Sequence, residues 1–284
     1  MDLWNQIFNF SDYAELLYLV RNSIFAGAVL GIVGGLIGTF VVSRDLAFAV
    51  HGISELSFAG ASAALLIGAN VVAGSLVGSL VAALLIGALG ARARERNSII
   101  AVLMPFGLGL GILFLALYKG RSANKFGLLT GQIVSVDDPQ LGYLLVVSIV
   151  VIVALLLIWR PLTFASIDAD VARAKGLPVG AISIGFMLVL GLAVAVSIQV
   201  VGALLVLSLL VTPAAAAMRV TASPVLTPVL SVAFAVASVV GGILLALGSS
   251  LPISPYVTTI SFLIYVVCRI VGRRRTSRRI GSLA

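Results

Sequence analysis

The stretch Leu141-Gly-Tyr-Leu-Leu-Val-Val-Ser-Ile-Val-Val-Ile-Val-Ala-Leu-Leu-Leu-Ile-Trp159 runs for 19 residues without a charge and stops at Arg160. A helix on the surface of a soluble domain keeps one polar face, and this run has none; about 20 such residues span the ~30 Å hydrocarbon core of a bilayer. Read outward with the same criterion, the chain gives spans near 17–43, 46–69, 71–91, 97–118, 141–159, 179–198, 200–218, 225–249 and 254–272. That is nine transmembrane helices, or eight if the tight turn expected between Ser197 and Gly202 does not separate two of them.

Composition agrees: 61% hydrophobic residues, 10% charged residues and a mean hydropathy of +1.22 exclude an ordinary soluble domain. The fold class is all-α, a polytopic helical membrane protein. The net charge of +8 reads as membrane orientation rather than nucleic-acid binding, because the basic residues lie between and beyond the apolar spans. With the amino terminus outside, 14 of the 18 Lys and Arg residues fall on the cytoplasmic side, leaving only Arg21, Lys119, Arg121 and Lys125 outside. The expected arrangement is a segment 1–16 at the outer interface, a transmembrane domain 17–272 and a basic cytoplasmic tail 273–284 in the plasma membrane. The run Arg273 to Arg279 is expected to rest on anionic lipid. Asp2, Asp12 and Glu15 near the start, with no basic n-region, argue against a cleavable signal peptide. The single cysteine, Cys268, excludes an internal disulfide framework and a thiolate metal cluster.

Within the apolar segment Ala47 to Gly68 stand two ionisable residues, His51 and Glu55, and His51 is the only histidine in the chain. Four residues apart, they share one helix face, and hydrocarbon makes an unpaired ionisable group costly. An imidazole and a carboxylate at i, i+4 form half of a transition-metal site; a self-satisfied pair that only stabilises packing is the competing reading. Glycines four apart in three spans, Gly27, Gly31 and Gly35, Gly74 and Gly78, and Gly107 and Gly111, predict close backbone approach between helices. Pro105, Pro213 and Pro228 are expected to interrupt apolar helices.

Two further segments stand out. The polar connection from about 164 to 178 reads as a short surface helix, with Asp168 and Asp170 in its first turn, Arg173 and Lys175 in its last, and Gly176 and Pro178 closing it. Ala169, Ala172 and Ala174 make it small enough to dock on a cytoplasmic partner, although a solvated linker fits the same residues. The segment Gln199 to Ala217 begins polar and ends small, with Gly202 near its start and Pro213 after Thr212; by itself it reads as a kinked packing helix.

Together these residues resemble the membrane permease of zinc/manganese-type ABC importers, over roughly residues 20 to 270. In that family the cytoplasmic connection reads roughly F-D-P-E-x-A-x-x-x-G and a later helix Q-x-x-G-x-x-L-x-x-x-x-L-x-x-P-A-A. This chain has Asp168, Asp170, Ala172 and Gly176 at the first, and Gln199, Gly202, Pro213, Ala214 and Ala215 at the second. The family's second helix carries an aspartate and, four residues on, a histidine. Aligned on Ser54 and Gly60, His51 takes the aspartate position and Glu55 the histidine position, so nitrogen and carboxylate ligands have exchanged places.

The resemblance implies a type II ABC importer architecture: a bacterial homodimer of permeases, two ATP-hydrolysing subunits docked through the connection at 164–178, and an extracytoplasmic metal-binding protein. The chain has no G-x-x-x-x-G-K-[ST] motif, so it is expected to be a permease and not the ATPase. No resident cofactor is expected; the ion, zinc or manganese, is cargo, and His51 and Glu55 are the expected contacts. Lys119, Arg121, Lys125, Asp137 and Asp138 in the outer loop are the expected contacts of the binding protein, with a solvated loop as the alternative. A permease for a metal chelate or other small solute, and a non-transporting membrane assembly protein, stay open as alternatives.

Overall fold

The computed structural model describes residues 13–90, 93–120, 136–248 and 253–281. Among them every regular element is helical: α1 (Tyr13–Leu19), α2 (Arg21–Ser43), α3 (Ala47–Leu66), α4 (Val71–Leu89), α5 (Ala93–Leu117), α6 (Asp138–Ile167), α7 (Ala169–Ala174), α8 (Val179–Val201), α9 (Ala203–Val220), α10 (Leu226–Ala246) and α11 (Ile253–Gly281). Eight of these are long and apolar enough to cross a membrane. The ninth expected span is α9, which has 18 residues and a shorter apolar stretch, Leu205–Val220. At 1.5 Å per residue it measures about 27 Å, just under the hydrocarbon thickness. The turn expected near Ser197 to Gly202 lies at Gly202 itself, whose φ of 80° separates α8 from α9.

Three expectations need correction. Residues 164–167 do not belong to the surface helix: α6 continues through Arg160 and Pro161 to Ile167, so only 169–174 form the separate helix. Asp137 and Asp138 are not in a free loop. Asp137 caps α6, accepting from the Gln140 amide at 2.9 Å, and Asp138 is the first helical residue, where a carboxylate suits the helix dipole. Pro228 interrupts nothing, because it falls in the first turn of α10, where no intrahelical donor is lost. Pro105 and Pro213 do lie inside α5 and α9. Arg92, Arg121 and Lys125 lie outside the described residues, as do most of the 1–16 segment and the last residues of the tail.

The chain divides into two compact units. One holds the described parts of Met1–Val42, Ile133–Val136 and Leu207–Ala284. In it α2 lies against α10 through the expected glycines: a Cβ at Gly31 would stand 2.9 Å from the Val236 Cα, and Ser231 Oγ donates to the Gly35 carbonyl at 2.8 Å. The other unit, Ser43–Gln132 and Asp137–Val206, carries the ionisable pair. Its central rod is α3, pressed by α4 at Gly60, Gly74 and Gly78 and by α5 at Gly107 and Gly111. From Ala49 to Ala64 only His51, Gly60 and Ala63 escape burial. α3 carries His51, Glu55 and three serines and threads the middle of its unit, which keeps those groups out of lipid.

Candidate functional site: an ionisable pair and a capped surface helix

Because α3 is packed on two sides by glycine-lined helices, the positions of its side chains are set by backbone contact. A Cβ at Gly107 would stand 3.0 Å from the Glu55 carbonyl carbon, so α5 passes directly over the backbone of that residue. On another side, Ser57 Oγ donates to the Ser75 carbonyl at 2.9 Å and Ser75 Oγ to the Ala195 carbonyl at 3.4 Å, joining α3, α4 and α8. These serines were not foreseen from sequence, where a lone serine in an apolar run carries no signal of its partner.

In that frame His51 Nε2 stands 3.7 Å from Glu55 Oε1. The separation is within ion-pair range when the imidazole is protonated, but too long for a hydrogen bond. Glu55 is buried, with 8% of its side chain exposed, while His51 keeps 33%. The pair therefore opens at the imidazole and is closed at the carboxylate. Among the described residues no cluster of three or more His, Cys, Asp and Glu forms a metal cage.

The surface helix α7 is held at both ends, with Asp168 and Lys175 as its N-cap and C-cap rather than within its first and last turns. Asp168 Oδ1 accepts from the Asp170 and Val171 amides at 3.0 and 2.9 Å, which makes it the N-cap. At the other end Gly176, with φ of 82°, lets its amide reach the Arg173 carbonyl at 2.9 Å and the Leu177 amide reach the Ala172 carbonyl at 3.1 Å. That is a Schellman closure, and it needs a left-handed residue. Asp170 and Arg173 pair at 2.6 Å on the exposed face, beside exposed Lys175. Ala172 faces the other way: it is fully buried and packs with Ala165 and Val179. The close approach that this alanine permits is to its own chain.

Gln199 stands one turn before Gly202, and its Nε2 is buried without a hydrogen-bond partner among the described residues. It lines an apolar cleft with Val72, Leu76, Tyr143, Leu144 and Val196. At the end of the unit where α7 lies, Arg44 bridges α6 and α8. Its Nη1 donates to Ser166 Oγ at 3.1 Å and its Nη2 to Ser183 Oγ at 2.7 Å. Arg96 Nη2 donates to the Arg44 carbonyl at 3.3 Å. Burial, and then the Arg96 charge, lower the Arg44 pKa from the ordinary guanidinium value.

Among similar proteins are the "Manganese transport system membrane protein MntC" of Halalkalibacterium halodurans, 30% identical over 240 residues that cover 84% of this chain and 82% of the relative, and the "Manganese import system permease protein ScaB" of Streptococcus parasanguinis, 27% identical over 212 residues that cover 74% and 75%. The fold matches a chain of PsaBC from Streptococcus pneumoniae in complex with Fab, with a TM-score of 0.81 and 24% identity over 91% of this chain and 95% of that one. The model of the ABC 3 transport family matches residues 17–272. With its apolar helices, its capped surface helix and its Q-x-x-G turn all inside that match, the chain belongs to the ABC 3 transport family.

Proposed function

We propose that this chain is the membrane permease of a homodimeric importer for a divalent transition-metal ion, manganese first and zinc as its competitor, with His51 and Glu55 as the ion contacts. The observation that carries the reading is the 3.7 Å pair with its buried carboxylate inside an apolar helix. Two donors that each bind one ion at about 2.1 Å stand roughly 3 to 3.5 Å apart, so a small rotamer change would close the pair on a metal. The names of the relatives support manganese, and the carboxylate oxygen is the hard ligand that this ion takes.

One copy brings two ligands; a second copy facing it would bring the other two. A tight four-ligand cage would trap the ion, so the two copies must separate their pairs toward the cytoplasm after loading. ATP-binding subunits drive that change by docking on α7 through Asp170, Arg173 and Lys175, with Asp168, Ala172 and Gly176 holding the helix in shape. Hydrolysis belongs to those subunits, and a solute-binding protein delivers the ion from outside. The orientation, amino terminus out and carboxyl terminus in, rests on the positive-inside distribution with nine crossings, α9 included. Gln199, Gly202 and Pro213 shape the α8–α9 junction without touching the ion.

The test is manganese uptake by the whole complex in proteoliposomes. The double variant His51→Ala, Glu55→Ala is expected to lose uptake while still assembling with its partners. Full transport by that variant sinks the direct-ligand reading.

A further inference from the structure

The two serines that hold Arg44 flank the surface helix. Ser166 lies on the last turn of α6, two residues before the Asp168 cap, and Ser183 lies near the start of α8, beyond the Gly176 closure. One guanidinium therefore touches both chain segments that enter and leave α7. Ser166 Oγ also donates to the Leu162 carbonyl at 2.6 Å, so its proton is committed and its lone pairs face the arginine. The backbone of Arg44 sits in the short turn between α2 and α3. Asp45, with φ of 52°, takes the left-handed conformation there, and Leu46 is 2% exposed and seats the start of α3. Arg96 on α5 holds the same turn through the Arg44 carbonyl.

From this juxtaposition we infer that Arg44 is a positioning residue of the transport cycle: its guanidinium clasps the two roots of α7, and its backbone passes their displacement to α3, the helix of His51 and Glu55. The inference rests on the functional reading above. Its physics is stiffness. The planar guanidinium fixes the spacing of its two donors, so Ser166 and Ser183 move with Arg44 as one body, which a single flexible ammonium does not achieve. Between Arg44 and α3 there are only Asp45 and Leu46, too short a link to absorb the movement. His51 follows Arg44 by seven residues, about two helical turns. Both serines are neutral, so each contact is a hydrogen bond from a charged donor to a neutral hydroxyl.

The experiment uses the complete complex of permease, ATP-hydrolysing subunits and solute-binding protein in proteoliposomes. Manganese moved per ATP hydrolysed is measured for the unaltered chain, Arg44→Ala, Arg44→Lys, the pair Ser166→Ala with Ser183→Ala, and all three alanine changes together. Arg44→Ala and the serine pair are each expected to lower the ratio by about tenfold, the order set by losing hydrogen bonds to a charged group. The triple variant is expected to be no worse than Arg44→Ala, because one interaction is being removed, and Arg44→Lys is expected to stay low. A serine pair that keeps the normal ratio, or a triple variant in which the losses multiply, overturns the inference. The serine changes delete only hydroxyls, so they decide the matter even if Arg44→Ala fails to assemble. A second readout needs no cargo: in a Cys268→Ser background, ATP should change the maleimide labelling rate of Ala63→Cys on α3, and Arg44→Ala should abolish that change. If the unaltered complex moves no metal, the functional reading fails while this labelling still decides the role of Arg44; an ATP response that survives Arg44→Ala overturns it.

Discussion

Glu55 bears its carboxylate in an almost closed site, with the His51 imidazole 3.7 Å away. Removing His51 leaves the buried Glu55 carboxylate in a low-dielectric surrounding without its neighbour. Glu55→Gln keeps the shape and hydrogen-bonding capacity but loses the anionic donor. Manganese uptake in vesicles is expected to fall by on the order of 100-fold, the upper end of what even outer-shell changes cost a metal site. The exchange His51→Asp with Glu55→His restores the ligand order of the wider family and keeps one nitrogen and one carboxylate. It is expected to retain uptake within about tenfold of the original chain, against loss in the double alanine variant. Uptake lost equally in both would show that order, not composition, governs the pair. The pair itself was legible as residues four apart on one helix face. Its asymmetry was not, because the burial of Glu55 and the exposure of His51 depend on where α5 crosses α3.

At the scale of elements, α7 holds its shape by a cap and a closure rather than by length, since six residues make a poor helix alone. Asp168→Ala removes the acceptor of two amides and should destabilise α7 by about 1 kcal/mol. The expected readout is weaker co-purification of the ATP-binding subunit with the permease, recovered by Asp168→Asn. The glycine contacts make the second prediction here. A methyl group at Gly60 would collide with the Gly74 carbonyl, where backbones already touch. Gly60→Ala should therefore cost about 1 to 3 kcal/mol, read as a lower thermal midpoint in detergent. Gly185→Ala, which meets nothing within 4 Å, should change it by less than about 0.5 kcal/mol. The glycine spacing announced helix packing, yet which helix each glycine meets, α2 against α10 but α4 against α3, has no mark in the spacing.

At the scale of the whole molecule, the proposed contacts His51 and Glu55 would give two ligands per chain and require an assembly in which symmetry completes the site. The purified complex, loaded with manganese and freed of excess ion, should carry about one ion per two permease chains, a stoichiometry set by four shared ligands. Glu55→Gln should abolish that ion without changing the oligomeric state, with metal analysis and light scattering as the measurements. One ion per chain would place the whole ligand set within a single copy. A mass corresponding to one 29.3 kDa chain under the same conditions would overturn the dimer.

The amino-acid sequence alone determined that this protein lives in a membrane, that its elements are helices, and that a costly pair and a capped surface segment interrupt them. These follow from transfer free energies, helical periodicity and local capping, which act within a few residues of each other. Only the tertiary structure decided that α6 runs on past Pro161, that Ala172 seats α7 on its own chain, and that Ser57, Ser75, Ser166 and Ser183 are joined across helices. The reason is the same in each case. A hydroxyl, a methyl group or an arginine meets its partner across a helix boundary, and residues 122 apart, like Arg44 and Ser166, become neighbours only once the helices have packed.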